Sequence, residues 1–277
     1  MDCAEFIALI ERYAPPEAAA AWDNSGIQVE SGRDDVNKVC IALDPTPATV
    51  SAALELKADF LLCHHPLLLA PRFLNIRDQY FHIIRKLMHA DCRLYSAHTS
   101  LDANPHGPAS WLGKALCLDN CRFLEPTSDT RAENPAKPDD FSTPAGYGFG
   151  LIGDLPEAVS LDLFLAQLEG ALLPQGPHGG WRLCGQTSGK NIRKIAYCTG
   201  SGASLIGKAG DLGADIYITG DIKYHDALDA PLCVLDVGHF CLEERMMQEF
   251  THILKQARPD MDICFLPADN PFRQVAI

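Results

Sequence analysis

Short apolar, β-rich runs alternate with helical stretches along this chain, and that alternation constrains the fold more than any other feature. Residues 39–43 (VCIAL) lead into an Ala/Leu-rich stretch from Pro47 to about residue 58, then a second apolar run at 60–63 (FLLC). Residues 78–90 have helical spacing, 93–97 read as a strand and 105–117 as a helix. An opening helix with Phe6, Ile7, Leu9, Ile10 and Tyr13 on its apolar positions precedes them. Such βαβα order predicts an α/β fold, its sheets largely parallel or mixed and covered by helices in a three-layer αβα arrangement.

The pattern breaks once. Residues 125–144 (EPTSDTRAENPAKPDDFSTP) carry four prolines and almost no apolar side chains, which predicts a linker or surface excursion. Beyond it the alternation resumes, with strands near 146–152, 195–198, 215–219, 231–237 and 264–267. Helices are expected over 160–172, 201–212, 224–228 and 239–255. The expected organisation is two α/β lobes joined across the 125–144 segment.

Composition narrows the function classes. With 277 residues, 47% of them hydrophobic, the chain can bury a real core. Its 23 basic against 36 acidic residues give a net charge of −13, which repels phosphate backbones and anionic membranes, so nucleic acid is disfavoured as a partner. No apolar stretch approaches the roughly 18 residues of a membrane span. The eleven cysteines include no C-x-x-C pair, which argues against zinc ribbons and thioredoxin-like motifs. A reduced, cytoplasmic protein with mostly buried thiols is expected.

The chemistry-bearing residues gather just after the strand runs. His64-His65-Pro66 follows 60–63, His98-Thr99-Ser100-Leu101-Asp102 follows 93–97, and Gly238-His239-Phe240-Cys241-Leu242-Glu243 follows 231–237. Ligand sites of open parallel sheets form beyond the carboxyl ends of strands, where these three clusters can converge. His98 with Asp102 and His239 with Glu243 are i, i+4 pairs, so a helical turn puts each pair on one face. Four imidazoles and two carboxylates suit Zn, Mn, Fe, Co or Ni better than Ca or Mg. Six donors exceed one tetrahedral ion and fit a two-metal site. Against this stands the plain reading of each short motif alone, a surface or core histidine. Cys63 and Cys241 flank the histidines and are weighed as ligands against core packing, the favoured reading, and 199–204 (TGSGAS) as a tight turn or an anion contact at a helix start.

These motifs resemble the Nif-three-like family, whose members often carry the label GTP cyclohydrolase 1 type 2 homologue. The resemblance rests on 22–29 (WDNSGIQV), His64-His65-Pro66, the H-T-x-L-D run at 98–102, 219–227 (TGDIKYHDA) and Gly238-His239-Phe240 with Glu243. It implies two interlinked α/β lobes, residues 1–125 with 232–277 and residues 126–231, with a dinuclear metal centre between them, and a toroidal hexamer with the metals facing an inner cavity. By position it implies His64, His65, Asp102, His239 and Glu243 as metal ligands. His98 falls beside the centre, as a ligand or as a catalytic base, and His225 falls in a motif that allows a substrate or supporting role. Some relatives carry a further inserted domain, for which this chain has no room.

Two functions follow as expectations. One is a metal-dependent hydrolase, cyclohydrolase-like and acting on a small-molecule substrate, with two divalent ions activating water and His98 as the base. The other is a non-catalytic metal-handling or metal-delivery protein, for which the acidic surface would attract cations.

Overall fold

The computed structural model describes residues 1–127, 144–172, 180–186 and 191–273. The chain is a mixed α/β protein with two sheets and divides into two compact units, residues 1–101 with 246–269, and residues 102–245 with 270–277. Most of the 125–144 excursion lies outside the described residues.

The first unit contains helix α1 (Cys3–Glu11), strands β1 (Gly26–Val29) and β2 (Lys38–Ala42), helix α2 (Pro47–Glu55), strand β3 (Phe60–Cys63), helix α3 (Gln79–Ala90) and strand β4 (Arg93–Ser96). Helix starts follow local chemistry. Asp2 accepts from Ala4 N and Glu5 N, Thr46 caps α2 just before Pro47, and Asp78 caps α3, satisfying amides that have no partner inside the helix. The C-terminal strand β11 (Asp262–Phe265) completes a sheet of order β1-β4-β3-β2-β11, parallel except for β1.

Every residue of β3 and β4 is buried, as strands covered on both faces require. Cys40, Ala42, Leu61, Cys63 and Leu94 form a core with Val50 and Ala53 of α2 and Ile83 and Leu87 of α3. The alternate residue Phe60 instead meets Phe6 of α1 edge to face, at 5.1 Å between ring centroids. Removing a buried phenyl ring of this kind costs about 3–5 kcal/mol.

The second unit follows the short helix α4 (Thr99–Asp102), in which the division between units falls. It holds helix α5 (Trp111–Ala115), strands β5 (Asp119–Pro126) and β6 (Gly148–Val159), helix α6 (Leu161–Leu172), strands β7 (Arg182–Cys184) and β8 (Ile192–Ser201), helix α7 (Ile206–Asp211), strand β9 (Ile216–Gly220), helix α8 (Tyr224–Leu228) and strand β10 (Cys233–Asp236). Helix α9 (His239–Ala257) belongs to this unit as far as Arg245. The sheet order is β5-β6-β8-β9-β10-β7. Only β8, β9 and β10 run parallel, whereas β5, β6 and β8 pair antiparallel and β7 is an antiparallel edge. Leu205, Ile206 and Ala209 pack on Ala196, Tyr217 and Val234 to form its core.

Several local expectations change. Residues 105–117 form a 3-10 turn (Pro108–Ser110) and the short α5 rather than one helix. Pro108, at the fourth position of such a helix, lacks the amide hydrogen that its first i→i−4 bond would use, and it opens the 3-10 turn instead. Residues 201–212 are likewise a 3-10 turn (Ala203–Leu205) followed by α7. β5 carries regular structure through Glu125 and Pro126, where a linker is expected from composition. No helix among the described residues is long and apolar enough to cross a membrane.

Candidate metal centre

In the first unit the strand ends assemble three imidazoles. His64 and His65 follow β3 directly, their amides both donating to Leu43 O at 3.1 Å, while Ser96 Oγ donates to His64 O at 2.7 Å. These bonds hold the His64-His65 turn, in which the rings lie 4.9 Å apart. His98, two residues beyond β4, brings its ring to 5.2 Å from His64 and 5.5 Å from His65. One ring nitrogen from each of the three lies within 4.8 Å of the others. His64 is fully buried, and His65 and His98 are partly exposed.

The second unit holds the other expected ligands. His239 and Glu243 open α9, with His239 Nε2 2.7 Å from Glu243 Oε2. Asp102 ends α4 and accepts a hydrogen bond from Thr199 Oγ1 at 3.0 Å. Residues 199–201 close β8 instead of forming the expected tight turn, and this strand end serves the site: a Cβ added at Gly200 would lie 2.1 Å from Glu243 Oε1 and 3.4 Å from His239 Nε2. Gly220, at the end of β9, leaves similar space for the start of α9, since its Cβ would lie 2.3 Å from His239 N. His225 sits on the exposed helix α8 with its ring edge-on to Tyr224, 5.3 Å between centroids.

Each of the four histidines has its Nδ1 engaged. His64 Nδ1 donates to Ala97 O at 2.8 Å, His65 Nδ1 to Asp44 Oδ1 at 2.8 Å, His98 Nδ1 to Asp23 Oδ1 at 2.6 Å and His239 Nδ1 to Asp221 Oδ2 at 2.8 Å. A carbonyl or carboxylate oxygen only accepts, so in His64, His65 and His98 the proton belongs on Nδ1 and the lone pair on Nε2, whereas His239 meets a carboxylate at each nitrogen, Asp221 at Nδ1 and Glu243 at Nε2. Metal-ligating imidazoles take this form, the second nitrogen bonded to a carboxylate or carbonyl that fixes tautomer and orientation. The donor set therefore fits a divalent metal of the imidazole- and carboxylate-binding class.

Electrostatics separate the carboxylates from the thiols. Burial alone would raise the Asp23 carboxyl, but hydrogen bonds from His98, Thr99 and Ser25 outweigh it and hold the group well below the ordinary carboxylate range. Burial pushes the Cys63 thiol well up, with the Asp44 charge adding to it, and burial also raises Cys241. Neither thiol is poised as a thiolate ligand, and both lie in the core.

Sequence reasoning did not single out Asp44 or any role for Asp23 and Asp221. Asp44 stands two residues beyond β2 and Asp221 one residue beyond β9, the strand-end position that marked the histidines. Asp23 and Asp221 both fall within segments that carried the family resemblance.

An α/β protein with histidine and carboxylate donors at its strand ends is the class that fold and site define. The family profile of Duf34/NIF3 (NGG1p interacting factor 3) matches residues 1–271. The chain belongs to that family. A Clostridium perfringens relative named "GTP cyclohydrolase 1 type 2 homolog" is 29% identical, with 98% of this chain and 99% of the relative covered. A Staphylococcus aureus crystal structure is 28% identical with a TM-score of 0.83, and the Bacillus cereus protein related to NIF3 is 24% identical with the same score; each comparison covers 99% of both chains.

Proposed function

We propose that this chain is a divalent-metal-dependent hydrolase in which His64, His65, Asp102, His239 and Glu243 hold two ions and His98 acts as general base. The observation that carries this reading is the set of engaged Nδ1 atoms. The first unit presents three imidazoles whose Nδ1 atoms are held by acceptors, and the second presents His239, its Nδ1 held likewise, together with the Asp102 and Glu243 carboxylates. Zn, Fe, Mn, Co and Ni all suit such donors.

When bound, a pair of such ions supplies Lewis acidity towards a substrate oxygen and lowers the pKa of water. The protein's own residues do the rest. His98 takes a proton at Nε2 from the attacking water and returns it to the leaving group. Its Nδ1 proton stays on the ring throughout, donated to Asp23 Oδ1. Thr199 holds Asp102 by the 3.0 Å bond to Oδ1, and Asp44 and Asp221 keep His65 and His239 oriented. His225 is assigned a substrate-contacting role from its place in the 219–227 motif. The names of the relatives favour a C–N hydrolysis of the cyclohydrolase kind, and the toroidal hexamer is proposed on family grounds.

The test begins with metal analysis of protein purified without chelator. Retention of two ions per chain, with turnover in a panel of nucleotides, cyclic amides and phosphoesters that is lost on chelation and regained on metal addition, is the expected result. Metal that leaves readily to chelators with no turnover on any panel member would instead establish the metal-handling function.

A further inference from the structure

Asp23 differs from the other carboxylates that hold histidines. Its side chain is 0% exposed, against 42% for Asp44 and 46% for Asp221. Water can replace a lost acceptor at the two exposed positions, but it has no access to the buried one. The Asp23 carboxylate also accepts from five donors. Oδ1 takes His98 Nδ1 at 2.6 Å and Asn24 N at 2.7 Å, while Oδ2 takes Ser25 Oγ at 2.7 Å, Thr99 N at 3.1 Å and Thr99 Oγ1.

The pattern specifies a carboxylate and nothing else. Ser25 and Thr99 hydroxyls can rotate, but Asn24 N–H and Thr99 N–H are backbone donors and cannot reverse. One faces each oxygen. An asparagine here would set its NH2 against one of them whichever way it turned, leaving a buried donor without an acceptor. None of the five donors is a lysine or arginine, so the one ionisable group that this buried anion meets is His98. Trp22 limits the same ring from another side, edge-on at 5.9 Å between centroids and 74° between planes.

We propose that Asp23 is the positioning residue of His98, fixing its ring orientation and its Nδ1–H tautomer so that Nε2 is the nitrogen left to act beside His64 and His65. Asp23 touches no substrate itself and acts through the imidazole. The hydrogen bonds to Asn24, Ser25 and Thr99 make the 23–25 turn and the start of α4 a rigid mount for that one contact.

The proposal rests on the reading of His98 as a site residue, and it is tested separately from that reading by measuring the tautomer in metal-free protein without substrate. Full-length protein labelled with 15N-histidine is stripped of metal and held well above the ordinary histidine pKa of about 6.5. Long-range proton–nitrogen correlation spectra then report the protonated nitrogen, and His98→Gln identifies the resonance. The expected result is a single His98 species protonated at Nδ1, lost to a mixture in Asp23→Ala while the His239 pattern is unchanged. Asp23→Ser serves the same purpose should the alanine variant fail to fold. A wild-type His98 protonated at Nε2, or a folded variant with an unchanged His98 spectrum, would overturn the assignment.

Discussion

Gly200 offers a direct test of whether the Glu243 carboxylate belongs to a metal site. In Gly200→Ala the new Cβ would lie 2.1 Å from Glu243 Oε1 and 3.2 Å from Glu243 Cδ. Carbon–oxygen contacts settle at about 3.3 Å or more, so the carboxylate must retreat by roughly 1.2 Å. It can do so, because it is the end of a flexible side chain, and the helix behind it need not move. The backbone adds a separate penalty. Gly200 has φ +62°, where a side chain costs about 1–2 kcal/mol. For a protein of this size that is a fall in Tm of about 2–8 °C.

Gly213→Ala isolates the second effect. Its φ is +74° and a Cβ there meets nothing within 4 Å, so it carries a similar backbone penalty without the displaced carboxylate. Differential scanning fluorimetry and chelator-competition titration on both variants separate the contributions. Both should lose similar stability, but only Gly200→Ala should lose metal affinity, by about 10–100-fold, the size usual when a ligand's support is disturbed. A folded Gly200→Ala with wild-type affinity, or an equal loss in Gly213→Ala, would refute the reasoning.

Three other outcomes follow from the same geometry. Gly220→Ala sets its Cβ 2.3 Å from the backbone N of His239, an atom that cannot rotate away. Denaturant unfolding should show a loss of about 3 kcal/mol, the upper end for overpacking. Asp44→Ala and Asp221→Ala should each weaken metal binding less than about 10-fold, below the usual range for losing such a partner, because water can replace the acceptor at both half-exposed positions; calorimetric titration measures each. The thiols give a pH-dependent test. Burial raises Cys92 to about 12 and Cys121 and Cys233 to about 11, and only the thiolate reacts, so at pH 8 these remain protonated. Cys117 is the one cysteine that is exposed. Ellman's reagent should therefore react fastest at one thiol in the native protein, a phase removed by Cys117→Ser, with the partly exposed Cys184, Cys198 and Cys264 slower and the buried thiols appearing on unfolding.

The fold was legible where a segment's own residues settle its structure. Phe60–Cys63 and Tyr224–Leu228 were read to their end residues, because an unbroken apolar run and a compact helical pattern carry their boundaries within them. β1 was not legible, since Gly26–Val29 is a four-residue edge strand whose identity depends on its antiparallel partner β4. β5 was missed for the same reason, as Asp119, Asn120 and Arg122 face solvent and only pairing with β6 makes them a strand. At the site, the histidines stood out by following strand runs. Their acceptors did not: Asp23 is 75 residues from His98 and Asp44 is 21 from His65, so although each lies at a strand end or in a motif segment, only the fold pairs it with its histidine.

β2, β3 and β4 are adjacent and parallel, and Asp44, His64 and His98 stand just past their respective ends. Neighbouring parallel strands keep a spacing of about 4.8 Å, close to the 5.2 and 5.5 Å that separate the His98 ring past β4 from the His64 and His65 rings past β3. Backbone hydrogen bonding thus acts as the ruler for this half of the donor set. A point change in the turns beyond the strands can alter which atoms are offered there, but altering how far apart they stand requires slipping the sheet itself.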